Sequence, residues 1–193
     1  MDISDDFFLQ IINEIEKYLQ ISTTFKIELH KILHVVHYKK GTKIQNNNQI
    51  PDQLWFLISG IAKEIAVNQT TLEEWVTWFW YPKDFLYTEP GLFNKVPADA
   101  HIELITDAWL IHISYSDCIA LRETFHETSE LIKVMRGKQA ALRKAHQVDV
   151  ATHTKKQIFD QQRKLHPELF VVARHKDILE FLGSNEDSFR RFI

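Results

Sequence analysis

The spacing of hydrophobic residues changes character twice along this chain, and those changes constrain the fold more than any other feature. Before about His34, apolar residues recur every three or four positions, which is typical of an amphipathic helix. From His34 to Ser114 they fall in short runs rich in Val, Ile, Trp and Phe, separated by Gly, Asn and Pro. After Ser114 the helical spacing returns. The sequence therefore predicts a β-domain between helical segments, an α+β fold.

The central runs indicate several short strands. Strands at this spacing favour a β-barrel or a sandwich over alternating βαβ units. Gly60 lies between two strand-like halves and fits a tight turn, because a residue without Cβ adopts positive φ readily. The N-terminal spacing predicts helices over residues 3–19 and from Ser22 to Leu33.

The segment after Ser114 sets the remaining organisation. A run from about His126 to Val150 carries a broad apolar stripe, which indicates either a dimer seam or a helix lying on the β-domain. Residues 145–155 are the expected hinge, and three helical pieces follow it, at 155–165, 175–182 and 185–193. The predicted units are the β-domain with its flanking helices at 1–125, a connecting or dimerisation helix at 126–150 and a small all-α domain at 151–193.

Charge is distributed unevenly between the two parts of the chain. Residues 131–193 contain 13 Lys or Arg and 7 Asp or Glu, whereas residues 1–130 contain 10 and 19. Clustered basic side chains attract phosphate groups. The C-terminal part therefore favours nucleic acid as a partner, although a solvated basic helix has the same composition.

Several other classes of protein fit the sequence poorly. No apolar run reaches the length of a membrane helix, the N-terminus is acidic, and the single Cys118 allows no internal disulfide. We therefore expect a cytoplasmic protein with no membrane partner. The sequence has no P-loop, GxSxG, HExxH or Gly-rich dinucleotide turn, so we expect that the protein is not an enzyme. His30, His34 and His37 have helical spacing, but the helix ends near His34, and we expect no metal site.

The C-terminal segment gives the clearest indication of function. Residues 173–192 fit a helix-turn-helix, which needs a short helix, a tight turn and a second helix free to enter the DNA major groove. Ile178, Phe181 and Leu182 supply the apolar face of the first helix. Gly183 stands at the turn, where a left-handed conformation is required.

The second helix of this motif begins after Gly183. Ser184 or Asn185 is placed to cap it, and Phe189 and Phe192, three residues apart, would pack it against the first helix. An ordinary helical hairpin is the alternative interpretation of the same pattern. The candidate DNA-binding residues are Asn185, Glu186, Asp187, Ser188, Arg190 and Arg191.

Taken in order from about residue 35 to 193, these segments resemble the Crp/Fnr transcription regulators, and in particular their short Crp-like members. The resemblance implies a cyclic-nucleotide-binding-like sensory domain, a jelly roll of the double-stranded β-helix type, followed by a DNA-binding helix-turn-helix. It also implies a homodimer that binds double-stranded DNA, with RNA polymerase as a candidate partner. The matching segments are YKKGTKIQ, LWFLISGIAKEI and FLYTEPGLFNKVPADAHIELI, then Asp177-Ile178, Leu182-Gly183 and residues 187–191.

Within the tail, the resemblance assigns roles one residue at a time. Arg191 matches the family's recognition-helix Arg, which donates to guanine or to phosphate. Asp187 matches an acidic position, and Ser188 matches a Thr that contacts phosphate. Glu186 departs from the family, because a carboxylate cannot bind guanine O6 and N7 where other members use an Arg. The operator sequence of the family is therefore not transferable.

The loop that would hold a cyclic phosphate departs from the family too. Family members that bind cyclic nucleotides use an Arg followed by Ser or Thr, whereas residues 96–100 read VPADA and no Arg precedes Arg122. Asp99 would repel a phosphate, so we do not expect cyclic AMP to bind. Either another small effector enters a pocket or side chains fill it. The candidate pocket residues are Phe85, Tyr87, Thr88, Glu89, Leu92, Ala98 and Asp99.

Two other functions compete with a DNA-binding regulator. One is an effector-binding module that acts through protein–protein contacts and uses the helical tail for docking. The other is a cupin-like enzyme on the β-domain, which would need a metal.

Overall fold

The fold was analysed in a computed structural model, which describes residues 3–184. These residues form helices at both ends and strands in the middle, as the change in hydrophobic spacing predicts. In chain order the elements are α1 (Ile3–Glu16), α2 (Thr23–Ile32), β1 (His34–Tyr38), β2 (Lys43–Gln45), β3 (Gln53–Ser59), β4 (Ala62–Val67), β5 (Glu74–Trp80), β6 (Phe85–Leu86), β7 (Ala100–Leu104), β8 (Ala108–Ser114), α3 (Tyr115–Thr124), α4 (His126–Thr152), α5 (Lys155–Leu165), α6 (Leu169–Val172) and α7 (His175–Phe181).

The N-terminal helices lie close to their predicted bounds. Ser22 is the N-cap of α2, and its hydroxyl accepts a hydrogen bond from the backbone N–H of Phe25 at 3.2 Å. Strand β1 begins at His34, so His30 lies in a helix while His34 and His37 lie in a strand. The three histidines therefore do not share one helical face.

The strands pair into two antiparallel four-stranded sheets. We call β1-β8-β3-β6 sheet A and β2-β7-β4-β5 sheet B. Within residues 3–184 no strand pair joins the two sheets, so the closed barrel that the sequence allowed is wrong and the strands form two open sheets. Two of the edge strands, β2 and β6, are only three and two residues long, too short to extend a ladder from one sheet to the other.

One apolar core lies between the two sheets. It contains buried side chains from both of them, including Trp55 and Leu110 of sheet A and Trp80 and Leu104 of sheet B. The chain crosses from sheet A to sheet B at Gly60, which has φ of +97°. A Cβ at this position would lie 2.7 Å from the backbone oxygen of Asp107, so the crossing requires glycine.

Each sheet has a helical cover on its outer face. We call α1, α2 and α3 the N-terminal cover, which packs on sheet A, and α5, α6 and α7 the C-terminal cover, which packs on sheet B. Cys118 of α3 is buried in the first of these layers, as expected of a small apolar side chain. The sheets and their covers thus form four layers with three apolar cores.

Helix α4 connects the two covers. Its 27 residues span about 40 Å at 1.5 Å per residue. Met135 and Gln139 are buried against the β-domain, whereas Leu142 and Val148 are 43% and 50% exposed. The first half of α4 therefore lies on the β-domain, which is one of its two predicted roles, and the dimer seam stays a prediction.

The C-terminal cover follows α4 after a break at His153. Helix α5 has its predicted bounds and begins with a capping box, in which Thr154 and Gln157 satisfy each other's backbone N–H groups. Helix α6 was not predicted, because a single turn after Pro167 leaves no periodic signal. Helix α7 coincides with the predicted first helix of the hairpin, and the predicted third piece, 185–193, lies outside the described residues.

Candidate functional site

A buried carboxylate stands where the inner face of sheet B meets α4. Glu64 of β4 is 6% exposed, and its strand neighbours Trp78 and Ile102 border the core between the sheets. Arg143 of α4 donates two parallel hydrogen bonds to it, from Nη1 to Oε1 at 2.9 Å and from Nη2 to Oε2 at 2.6 Å. Thr77 donates a third, from its hydroxyl to Oε1 at 3.0 Å. This bidentate geometry is the strongest form of Arg–carboxylate contact.

Aromatic rings and an amide complete the surroundings of the guanidinium. The carbon at the centre of the Arg143 guanidinium lies 5.0 Å from the ring centroid of Trp78 and 5.6 Å from that of Trp80. In the amide orientation that satisfies both partners, Gln139 accepts from Arg143 Nε at 3.1 Å and from Trp78 Nε1 at 3.2 Å. All three nitrogens of Arg143 therefore have protein acceptors.

These contacts limit what the site can bind. Glu64 takes two of the five guanidinium N–H groups in a bidentate contact, so an anion that needs this same edge of Arg143 must displace Glu64. Leaving Glu64 buried without its partner costs free energy. The arrangement thus favours the protein's own carboxylate over an external phosphate.

The seven predicted pocket residues are not gathered around one cavity. Phe85 and Tyr87 line a small enclosed cavity of about 20 Å³ beneath α4. Tyr87 and Glu89 line a groove of about 570 Å³ along α4, and Glu89 and Asp99 line a neighbouring cavity of about 500 Å³ beside Glu64 and Arg143. Thr88, Leu92 and Ala98 are buried, and Leu92 belongs to the core under sheet A.

Two of these residues have features that matter for binding. Within the described part of the chain, the buried hydroxyl of Tyr87 has no hydrogen-bond partner. Burial, reinforced by the charge of Glu89, raises the pKa of this phenol above its ordinary value, so it stays protonated and able to donate. Glu89 itself binds Arg136 of α4, with 2.7 Å between Oε1 and Nε.

Sequence reasoning missed the basic side chains of this site. Residues 1–121 contain no Arg, but α4 contributes Arg136 and Arg143 to the groove beside Tyr87 and Glu89. The two arginines are seven residues apart and so project from similar sides of the helix. Adjacent charged residues inside the apolar run GIAKEIAV, at Lys63 and Glu64, were the available signal, because charges in a buried strand require partners.

The turn expected in the hairpin is present at the end of α7. Gly183 has φ of +61°. Its N–H donates to the Glu180 carbonyl at 2.9 Å, and the N–H of Ser184 donates to the Leu179 carbonyl at 2.8 Å. This pair of bonds is the Schellman motif, which ends a helix at a left-handed residue.

The six candidate DNA-binding residues lie outside the described residues. Among residues 3–184, no helix combines the length and apolar composition needed to cross a bilayer. Over the same range, no group of three or more His, Cys, Asp or Glu side chains is arranged to hold a metal ion.

Comparisons with known proteins identify the fold. No protein-family model and no curated protein matches the sequence. Among solved structures, a putative transcriptional regulator of the Crp/Fnr family from Eubacterium rectale is similar, with a TM-score of 0.69 and 16% identity over 91% of this chain and 85% of that one. FixK2 from Bradyrhizobium japonicum has a TM-score of 0.65 and 14% identity, over 83% and 82% of the two chains.

A third similar structure is the c-di-GMP responsive global regulator CLP from Xanthomonas campestris, with a TM-score of 0.64 and 18% identity over 88% and 89% of the two chains. A cyclic nucleotide-binding domain from Methylobacillus flagellatus also matches, with a TM-score of 0.65 and 11% identity over 78% and 86%. At these identities the likeness is one of fold. The chain has a cyclic-nucleotide-binding-like fold, of the kind that Crp/Fnr regulators share.

Proposed function

We propose that this chain is a sequence-specific, DNA-binding transcription regulator, not an enzyme, with a sensory domain that does not bind cyclic AMP. The observation that carries the proposal is the left-handed Gly183 at the end of α7. It puts a tight turn where the helix-turn-helix pattern requires one, directly before the predicted second helix. The likeness of the fold to Crp/Fnr regulators over most of the chain supports the same reading.

In this proposal the DNA contacts come from the predicted second helix. Arg191 reads a base, Ser188 and Arg190 bind phosphates, and Asn185, Glu186 and Asp187 occupy the first turn of the helix. The preferred DNA sequence is unknown, so the first experiment is selection from random duplexes by the purified intact chain. Affinity for the selected duplex is then measured at several salt concentrations.

Arg191→Ala tests the base contact. We expect it to weaken binding by about 1–3 kcal/mol and to relax the preference at one base pair. Arg163→Ala, which removes the same charge from an exposed position on α5, is the matched control and should leave the base preference unchanged. Unchanged specificity in Arg191→Ala contradicts its role as a base reader. A wild-type chain without salt-dependent DNA affinity rejects the regulator and favours the module that acts through protein contacts.

The sensory domain is proposed to bind a small effector other than cyclic AMP. Asp99 is exposed in the loop that would hold the phosphate, and the bidentate edge of Arg143 already binds Glu64. Millimolar cyclic AMP should therefore leave the melting temperature unchanged. A concentration-dependent rise would contradict this part of the proposal. The predicted residues that line the open cavities, Tyr87, Glu89 and Asp99, are the candidate effector contacts.

The proposed assembly is a cytoplasmic homodimer, with RNA polymerase as a candidate partner. Leu142 and Val148 are exposed apolar side chains of α4 and are candidates for the dimer contact. Val148→Glu should shift the sedimentation coefficient from that of a dimer to that of a monomer. An unchanged coefficient would place the contact elsewhere.

A further inference from the structure

Helix α7, the first helix of the hairpin, is packed on the outer face of sheet B. The ring of Phe181 lies 5.2 Å from Phe79 and 5.9 Å from Trp78, measured between ring centroids. On a third side it stacks on His146 of α4 at 4.1 Å, with the rings 6° from parallel. Ile178 is buried in the same apolar cluster. The apolar side of α7 is thus occupied by the sheet and α4.

A buried ion pair fastens the start of this helix to the strand beneath it. Lys63 of β4 is 3% exposed and Asp177 of α7 is 2% exposed, with 2.9 Å between Nζ and Oδ2. Arg174 donates to the two Asp177 oxygens, from Nη2 to Oδ1 at 2.7 Å and from Nε to Oδ2 at 3.1 Å. Glu103 of β7 lies 3.6 Å from Lys63 Nζ. We call these four side chains the latch.

Asp177 is the carboxylate at the centre of the latch, and it is charged at neutral pH. Burial by itself would raise the pKa of Asp177, but hydrogen bonds from Arg174 and Lys63 outweigh it and hold the pKa below its ordinary value of 3.8.

The end of α7 has polar anchors of its own. The Glu180 carboxylate accepts from the backbone N–H of Val76, on edge strand β5, at 3.0 Å. His146 Nε2 lies 2.9 Å from the Phe181 carbonyl oxygen, and Lys155 Nζ donates to the Leu182 carbonyl at 3.2 Å. Charged and polar contacts at both ends therefore fix the position of α7 on the sheet.

This packing competes with the assembly of a helix-turn-helix. The sequence assigns the apolar face of α7, with Ile178 and Phe181, to holding the second helix through Phe189 and Phe192. Among the described residues, Phe181 packs on Phe79 and His146. One face cannot make both sets of contacts at once.

We propose that the latch holds the C-terminal cover in a closed, autoinhibited state, and that the cover must detach from sheet B before the hairpin assembles on DNA. The part of this proposal that concerns assembly of the hairpin on DNA rests on the proposed function. The closure itself rests only on the contacts of α7 with sheet B and α4.

The latch stands next to the candidate effector site. Lys63 and Glu64 are consecutive residues of β4, and successive side chains of a strand point to opposite faces. Glu64 binds Arg143 on the inner face, and Lys63 binds Asp177 on the outer face. An effector bound in the cavity beside Glu64 and Arg143 would therefore contact the strand that carries Lys63.

Lys63→Met in the intact chain tests the closure by hydrogen exchange. We expect amides of residues 155–184 to exchange at least about tenfold faster, while amides of β3 and β8 keep their wild-type rates, because only the cover opens. Lys39→Met is the matched control, since it removes a lysine from an exposed ion pair with Asp107. It should leave both rates unchanged. Faster exchange in both sheets, or unchanged exchange in the cover, overturns the proposal.

A double variant tests whether the Lys63–Asp177 ion pair is what keeps the C-terminal cover closed. Lys63→Met combined with Asp177→Leu replaces two buried charges by apolar contacts, which often preserves stability. We expect slow exchange of the cover to return. Exchange as fast as in Lys63→Met alone would show that the two side chains do not act as a pair, and would overturn the latch.

DNA binding by the same samples separates this proposal from the proposed function. If closure limits binding, Lys63→Met should raise affinity for the selected duplex severalfold in the absence of effector, and the control should not. If the exchange results hold and neither protein binds DNA, the proposed function fails and the closure stands. If both bind with equal affinity while the cover opens, closure is not autoinhibitory, and that part of the proposal fails.

Discussion

The two sheets carry helical covers that are attached in different ways. On sheet A, the side chains that meet the sheet are apolar, with Ile11, Ile15 and Phe25 packed in one cluster with Phe56 and Ile111. On sheet B, an apolar cluster is joined by the latch, with its buried Lys63–Asp177 pair, and by the polar anchors of α7. The same kind of layer is therefore held by packing on one side and by packing plus charge on the other.

This difference bears on which layer can move. Detaching the N-terminal cover from sheet A exposes mainly apolar surface to water. Among the described residues its buried carboxylate, Glu14, is paired with Lys138 of α4 and has no partner on the sheet itself. Detaching the C-terminal cover also exposes apolar surface, but it returns Lys63, Asp177 and Glu180 to water, and their hydration offsets the broken contacts. Buried ion pairs fix geometry more than they add stability. The C-terminal cover is thus precisely placed and more easily released, as a moving part requires.

The largest effect that the comparison predicts is on the N-terminal side. Phe25 is fully buried and packs edge-on against Phe125 at 5.6 Å. Phe25→Ala should lower the free energy of unfolding by about 3–5 kcal/mol. Urea denaturation should show the main transition itself moving to lower urea. A new early transition in its place would mean that this cover also opens separately, and the comparison would fail.

Phe181→Ala is the corresponding change on the C-terminal side. It removes the ring that contacts Phe79 and His146. We expect the free energy of unfolding to fall by a smaller amount, about 1–3 kcal/mol. The cover can open while the two sheets stay folded, so the sheets lose little stability. Urea denaturation followed by hydrogen exchange should place the loss in residues 155–184. A shift of the main transition as large as that in Phe25→Ala would contradict separate opening.

Acid should weaken the C-terminal cover at mildly acidic pH. Burial lowers the pKa of His146 below its ordinary value of 6.5, with Arg143 acting in the same direction, while its bond to the Phe181 carbonyl and the charge of Asp149 oppose the shift. The closed state therefore keeps His146 neutral, whereas the open state binds a proton first. The contribution to closure is complete above about pH 6.5 and is lost as the pH falls from there through the lowered pKa.

Hydrogen exchange at pH 7.5 and 5.5, corrected for the intrinsic effect of pH, measures this loss as a severalfold rise in cover opening. His146→Gln retains a donor for the Phe181 carbonyl and should remove most of the pH dependence. If the variant keeps the full dependence, another group is responsible.

The smallest expected effect concerns Cys118, which reports on the N-terminal cover. Burial raises the pKa of its thiol to about 12, with Asp117 contributing in the same direction. Little thiolate forms at pH 8, so a thiol reagent should react only when the whole fold opens. Lys63→Met should leave this rate unchanged although it opens the other cover. Faster labelling in Lys63→Met would show that the two covers are coupled.

The sequence predicted much of the fold because local signals were strong. The change of spacing at His34 and the turns at Gly60 and Gly183 all appear where they were expected. These features depend on a few neighbouring residues, whose backbone preferences are readable from residue type. The short α6 gave no such signal.

The contacts of the site and of the latch could not be predicted from short stretches of sequence. Glu64 and Arg143 are 79 residues apart, and Lys63 and Asp177 are 114 apart. Their pairing depends on where α4 and α7 lie on sheet B, which no short window encodes. The sequence did show two charges inside a buried strand, but it did not show which partners they take.

The salt dependence of the chain's affinity for duplex DNA is the direct test of its proposed DNA recognition. Fluorescence anisotropy of the intact wild-type chain with the selected duplex, titrated over a range of salt concentrations, gives the affinity and its slope. We expect measurable affinity that falls steeply as salt rises, because basic side chains displace counterions from the phosphates. No affinity at low salt, or affinity independent of salt, would contradict it.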